Sequence, residues 1–153
     1  MSRVAWLVIP SEPIGSVHPD LHGAFAEHLG ELIYPGLWAD GARGPHPAGL
    51  RQDVLRALQP LALPVLRWPG GNFADSYRWR DGIGPRAARP ARINTQWGNA
   101  PEPNHFGTHE FIDVCRALGC SPYFAGNLGS ETPAYLKDWV EYCNLASGSQ
   151  LSA

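Results

Sequence analysis

The stretch Pro64 to Asn72, PVLRWPGGN, decides the fold. Pro64 ends a helical pattern, and Val65-Leu66 begin a short buried strand that runs into Arg67-Trp68-Pro69-Gly70-Gly71-Asn72. Upstream, from Gly49, Leu50, Val54, Ala57, Leu58 and Leu61 recur at helical spacing, with Arg51, Gln52, Asp53 and Arg56 on the other side. Before that helix lies a Gly- and Pro-rich loop from Tyr34 to Pro47. Earlier still, within Ser16 to Leu29, His22, Ala24, Ala26 and His28 alternate with Gly23, Phe25, Glu27 and Leu29, as a strand entered through the His18-Pro19-Asp20 turn would.

Downstream, Phe73 to Asn104 reads as a long irregular section with interleaved aromatic and Arg residues. A helix is expected next, with Thr108 as N-cap, Phe111, Val114, Cys115 and Leu118 as its apolar stripe and Gly119 as its stop. Ser121 to Asn127 reads as a third strand. Thr132 then caps a third helix with Pro133 at its first position, and Leu136, Trp139, Val140 and Cys143 form its buried face. The chain fades into Ser147-Gly148-Ser149.

The order β-loop-α-β-loop-α-β-α predicts an α/β fold with parallel strands and right-handed crossovers. Alternation alone fits a doubly wound sheet and a barrel equally. No G-x-G-x-x-G or G-x-x-x-x-G-K-[ST] follows a strand, which removes the usual dinucleotide and phosphate reasons for an open sheet. The long excursion after the second strand favours a barrel, since barrels enlarge their βα loops to build sites.

The 153 residues carry a formal net charge of −2, with 44% hydrophobic and 17% charged residues. That is the balance of a soluble globular protein, and it lacks the basic excess that a nucleic-acid partner requires. The apolar run Val4 to Ile9 is too short for a membrane span and is followed by Pro10. Behind a single Arg3 and without a small-residue cleavage site, it predicts no secretory signal and a cytoplasmic location. Three cysteines, an odd number, predict reduced thiols.

In a barrel, polar residues at the C-terminal ends of strands face the ligand. Glu27-His28, Arg67 to Asn72, and Asn127 fall there. A carboxylate, a guanidinium and two amides suit a ligand covered in hydroxyls, and Trp68, Trp79 and Trp97 offer faces on which a sugar ring can lie. Taken singly, each has a plain structural reading, as a paired strand-end charge or a core aromatic. Their falling together on one predicted face is what gives them weight.

The segments HGAFAEHLGELIY, PVLRWPGGNFADSYRWRDGIGPR, GTHEFIDVCRALG and GNLGS, with the following DWVEYCN, resemble the opening of glycoside hydrolase family 51, mainly α-L-arabinofuranosidases. The resemblance runs from about Val17 to Asn144, with the motifs in the family's order. It implies a (β/α)8 TIM barrel, here its first three βα units, followed in the full-length enzyme by a β-sandwich domain. The implied activity is removal of non-reducing-end arabinofuranosyl units from arabinan- and arabinoxylan-type saccharides with retention of configuration. No cofactor is implied, and full-length relatives are expected to be homo-oligomeric. By position, Glu27, Arg67 and Asn72 match residues that hold the arabinofuranose, Arg67 is expected near the nucleophile, and Trp97 matches a position bordering the sugar site.

The same resemblance exposes a departure. Retaining glycosidases use two carboxyl groups about 5–5.5 Å apart. The family's acid/base Glu follows an Asn at the end of strand four and its nucleophile ends strand seven, yet this sequence contains no Asn-Glu dipeptide. Glu12, Glu31, Glu102, Glu110, Glu131 and Glu141 are expected in loops or on helices. The chain therefore reads as an N-terminal piece, inactive alone, whose first and third strands lack a neighbour; a barrel of this type takes about 250 residues.

Metal binding is not expected, since His105, His109 and Glu110 do not form H-E-x-x-H and the cysteines supply no four-ligand set. Cys or Ser nucleophile chemistry lacks a G-x-S-x-G or an equivalent. The alternatives are a non-catalytic sugar-binding or interaction module that keeps Glu27, Arg67 and Asn72, and a barrel glycosidase of other specificity, such as an endoglucanase.

Overall fold

A computed structural model of the chain describes Ala5, Leu7, Val8 and residues 11–39 and 49–145. Residues 40–47 of the expected loop, Val4, Trp6 and Ile9 of the apolar run, and Ser147 to Ser149 lie outside the described residues. No helix among the described residues is long and apolar enough to cross a membrane.

The first strand is shorter than its alternation predicts. Pro19–His22 form a 3-10 turn, in which Pro19 fixes the entry and the His18 ring accepts from the Asp20 N–H; β1 is only Ala24–Phe25. Pairing nonetheless continues past β1, because the Ala26 N–H donates to Arg67 O at 2.8 Å and the His28 N–H to Pro69 O at 3.2 Å. An irregular turn at Leu32–Leu37 leads into β2 (Trp38–Ala39), which pairs antiparallel with β3 (Gly49–Leu50).

Leu50 was expected on the helix. The structure puts it in β3 opposite Trp38, and the Arg51 N–H donates to Leu37 O, so helix α1 begins only at Gln52–Leu58. Ala62, left-handed at φ 46°, then turns the chain after a 3-10 turn, leaving Leu61 exposed rather than on the buried stripe. β4 follows at Val65–Trp68. Within the stretch read as irregular, β5 (Arg92–Asn94) and β6 (Ala100–Glu102) form a hairpin.

Helix α2 spans Thr108–Leu118, with Gly107 and not Thr108 as its N-cap. Thr108 is diverted because its buried Oγ1 accepts from the Trp139 indole at 3.1 Å, while Glu110 satisfies the Gly107 N–H at 3.0 Å. The expected stop holds: Gly119 is left-handed at φ 69°, and the Cys120 N–H closes onto Cys115 O at 3.0 Å. β7 is Ser121–Phe124, and α3 is Pro133–Asn144 with Thr132 capping the Tyr135 N–H as the sequence predicts. Trp139 is buried in α3, but Val140 is 57% exposed, and the partly buried Tyr135 and Tyr142 pack inward where Val140 was expected.

The three parallel strands lie in the order β1-β4-β7, with β4 central, so the fold is α/β with the second strand between the first and third. Alternation along β4 divides the sheet. Leu66 and Trp68 are buried on the helix side, where Trp68 stacks on Phe111 with ring centres 5.1 Å apart and meets Trp139, Tyr77 and Phe106 edge-on. Arg67 points to the other side, in register with Phe25 and Tyr123, which are 47% and 55% exposed. All three cysteines are free, and burial pushes the Cys115 and Cys143 thiols up, away from the nucleophilic thiolate.

Two measurements test this core. Phe111→Ala removes a ring with 0% exposure and is expected to cost about 3–5 kcal/mol; a urea midpoint within error of the parent would contradict the packing. Burial, reinforced by the Glu102 charge, raises both Tyr34 and Tyr77 above the ordinary phenol range. The folded chain keeps protons that the unfolded chain releases above about pH 10, so each tyrosine lowers stability by up to about 1.4 kcal/mol per pH unit there. Denaturation followed from pH 8 to 11 should show this loss, and Tyr34→Phe should make it shallower while the Tyr77 contribution remains.

Candidate functional site

Glu27 sits two residues beyond β1 and is 8% exposed. Its Oε1 accepts from the Gly71 and Phe73 N–H groups, each at 3.0 Å, so the carboxylate straddles Asn72. The loop can approach this closely because residue 70 is glycine: a Cβ there would lie 2.7 Å from Glu27 Cγ. One carboxylate oxygen thus fixes the loop, while a carboxylate has two oxygens that accept.

Arg67, on β4, donates from Nη2 to Gly70 O at 3.3 Å, and its guanidinium lies 4.7 Å above the Phe25 ring and 5.7 Å from the Tyr123 ring. Its Nε is buried and has no partner among the described residues. Asn72 is exposed at the start of a 3-10 turn, Phe73–Ser76. Glu27, Arg67 and Asn72 therefore converge on one loop at the C-terminal ends of β1 and β4. The grouping can hold a polyol: a carboxylate accepts, a guanidinium donates in a fixed plane, and an amide does both.

Trp97 is placed differently. It lies in the turn between β5 and β6, partly buried, and lines a cavity of about 470 Å³ with His28, Tyr34, Trp38, Asn94, Glu102 and others. Glu27, Arg67 and Asn72 do not line that cavity. His28, next to Glu27 in the chain, is the link between the two places.

Glu102 is the residue that the sequence reading missed. Expected in a loop or on a helix, it ends β6, is 4% exposed, and its Oε2 meets His28 Nδ1 at 2.6 Å. Its Oε1 accepts from the Tyr34 hydroxyl at 3.0 Å and the Asn104 N–H at 2.8 Å. Trp68 completes the network, donating its indole N–H to His28 Nε2 at 3.0 Å. An indole nitrogen can only donate, so Nε2 accepts, and the proton is assigned to Nδ1, which donates to Glu102. The weak signal was Glu102 between Pro101 and Pro103 in a stretch without periodicity.

Other candidates resolve into structure. Trp68 and Trp79, read as possible sugar faces, are 0% and 2% exposed and belong to the core, because the helix side of the sheet closes over them. Asn127 is buried, donating to Tyr77 O and Ser130 Oγ and accepting from the Gly129 and Ser130 N–H groups; it shapes its own loop. His109 bonds to the Tyr142 hydroxyl, and Glu110 makes a two-pronged ion pair with Arg89, whose side chain is largely covered. No group of three or more metal-ligating side chains occurs among the described residues.

Residues 57–151 match the family model described as the alpha-L-arabinofuranosidase 1 domain. An intracellular exo-alpha-L-arabinofuranosidase of Bacteroides ovatus is 54% identical over 124 residues, which cover 80% of this chain and 24% of the relative. Alpha-L-arabinofuranosidase C of Emericella nidulans is 44% identical, covering 88% of this chain and 27% of that protein. Among solved structures, the GH51 arabinofuranosidase of Xanthomonas axonopodis pv. citri superposes with a TM-score of 0.81 at 48% identity, covering 87% of this chain and 27% of that one. The family 51 alpha-L-arabinofuranosidase of Bifidobacterium longum gives 0.83 at 36% identity, covering 92% and 28%. The chain spans about a quarter of the length of these relatives. With the match covering more than half of its residues, the chain belongs to the glycoside hydrolase family 51 α-L-arabinofuranosidases.

Proposed function

We propose that these residues form the sugar-holding wall of a retaining α-L-arabinofuranosidase that removes terminal non-reducing α-L-arabinofuranosyl units from arabinan- and arabinoxylan-type saccharides. The observation that carries the reading is the convergence of Glu27, Arg67 and Asn72 on one loop at the strand ends. Glu27 accepts sugar hydroxyls, Arg67 donates to the ring substituents and sets a positive potential beside the nucleophile, Asn72 bridges, and Trp97 borders the sugar.

The three strands and their helices are the first three units of a (β/α)8 barrel, with the Phe25-Arg67-Tyr123 side of the sheet as its interior. The exposure of those two rings supports that assignment, since barrel interiors are filled by side chains from other strands. Within three residues of the ends of the three parallel strands, Glu27 is the carboxylate among the described residues, and one of its oxygens holds the loop. Cleavage with retention needs a carboxyl pair, so the acid/base and the nucleophile come from outside these 153 residues, which alone do not hydrolyse glycosides.

Two assays test this. Purified 153-residue protein should release no nitrophenol from an aryl α-L-arabinofuranoside; turnover by sequence-verified material would overturn the assignment of the carboxyl pair. Calorimetric titration with arabino-oligosaccharides should give binding that Arg67→Ala abolishes, and a parent that fails to bind would remove the sugar-holding role. Gly70→Ala should weaken the same binding at least tenfold, a loss of about 1.4 kcal/mol, by displacing Glu27, and should lower the unfolding midpoint as the loop loses its bonds to that carboxylate.

A further inference from the structure

We infer that His28 and Asn94 are a positioning pair that sets Trp97 in place relative to Glu27. Apart from Trp97 itself, which packs against the edge of the core, the β5–β6 hairpin has little apolar surface to hold it. Arg92, Ile93, Ala100 and Pro101 are exposed, and within β5 and β6 the buried residues are both polar, Asn94 at 6% and Glu102 at 4% exposure. Both of them bond to His28. The Asn94 Nδ2 donates to the His28 carbonyl at 2.6 Å, and Glu102 Oε2 accepts from the His28 ring at 2.6 Å. Each strand of the hairpin is thus tied to the same residue, one through its main chain and the other through its side chain.

The cavity of about 470 Å³ between the hairpin and the Leu32–Leu37 turn leaves these ties, beside the Arg92–Asp81 ion pair and the Tyr34–Glu102 bond, as the main hold on the buried side of the hairpin. A hairpin wedged by close packing would keep its place without them, and one bordering open space does not. Asn94 also acts toward the tip, its Oδ1 accepting from the Trp97 N–H at 3.1 Å. On the opposite side, the His28 ring stacks on Phe73 with centres 4.4 Å apart, and the Phe73 N–H holds Glu27. A continuous chain of contacts therefore runs from Glu27 through Phe73, His28 and Asn94 to Trp97. The consequence for ligand binding rests on the proposed function; the placement of Trp97 does not.

Asn94→Asp is the discriminating variant. It keeps the side-chain shape and the oxygen facing the Trp97 N–H, but sets a second acceptor against the His28 carbonyl. In protein labelled with 5-fluorotryptophan, with the Trp97 ¹⁹F resonance assigned through Trp97→Phe, the variant should shift or broaden that resonance and leave those of Trp68, Trp79 and Trp139 in place. A Trp97 resonance unmoved in the folded variant overturns the inference. Should the variant fail to fold, the unmutated protein decides: slow hydrogen exchange of the Asn94 side-chain amide supports the tie, and exchange at the rate of an exposed amide overturns it. In titrations with arabino-oligosaccharides, Asn94→Asp should lower affinity by about threefold to tenfold, the loss of one hydrogen bond's net contribution. An unmutated chain that binds no saccharide overturns the proposed function and leaves the resonance test of His28 and Asn94 standing.

Discussion

The rest of the structure depends on the indole of Trp68 donating to the His28 ring. Trp68 has no exposed surface, and its ring is the meeting point of Phe111 from α2, Trp139 from α3, Phe124 from β7, and Tyr77 and Phe106 from the connecting segments. A buried indole N–H left without an acceptor costs free energy on the order of 1–3 kcal/mol. His28 supplies the acceptor, and this fixes the tautomer of its ring and directs the remaining proton at Glu102. One core hydrogen bond thereby orders β4 against β1 and both against the β5–β6 hairpin.

The division of labour along β4 follows from its two-residue period. Leu66 and Trp68 stabilise the fold through the helices, and Arg67 between them faces the opposite side at the same height as Phe25 and Tyr123. At the strand's end the chain turns from packing to polar work within a few residues. Gly70 is the pivot of that change, since only a residue without a side chain lets the loop amides reach the Glu27 carboxylate.

What the sequence made legible was whatever local chemistry specifies by itself. Thr132-Pro133 and Gly119 marked helix ends correctly because a cap hydroxyl, a fixed φ and a left-handed glycine act within a single turn. The order of the three parallel strands and the helices between them was likewise readable, whereas the short β2–β3 and β5–β6 pairs were not; Glu27 and Arg67 both bond to the loop that carries Asn72. What escaped was decided at long range. Thr108 lost its capping role to a tryptophan 31 residues away, and Leu50 was drawn into a strand by Trp38. Glu102 pairs with a histidine 74 residues distant, for which no period or motif gives warning. The aromatic residues divided by the same logic: composition cannot tell Trp68 and Trp79 in the core from Trp97 beside a cavity.

Arg67 rests on two aromatic faces with its Nε buried and unanswered among the described residues. A guanidinium is more weakly hydrated than an ammonium, so it can hold its charge on an apolar bed. This imposes a chemical condition on anything that settles on that side of the sheet. Shape alone would not suffice, because a purely hydrocarbon covering would strand a cation and a donor together in a medium that solvates neither. The covering surface must bring oxygen with it. The floor of the sheet thus selects its own ceiling by polarity as well as by fit.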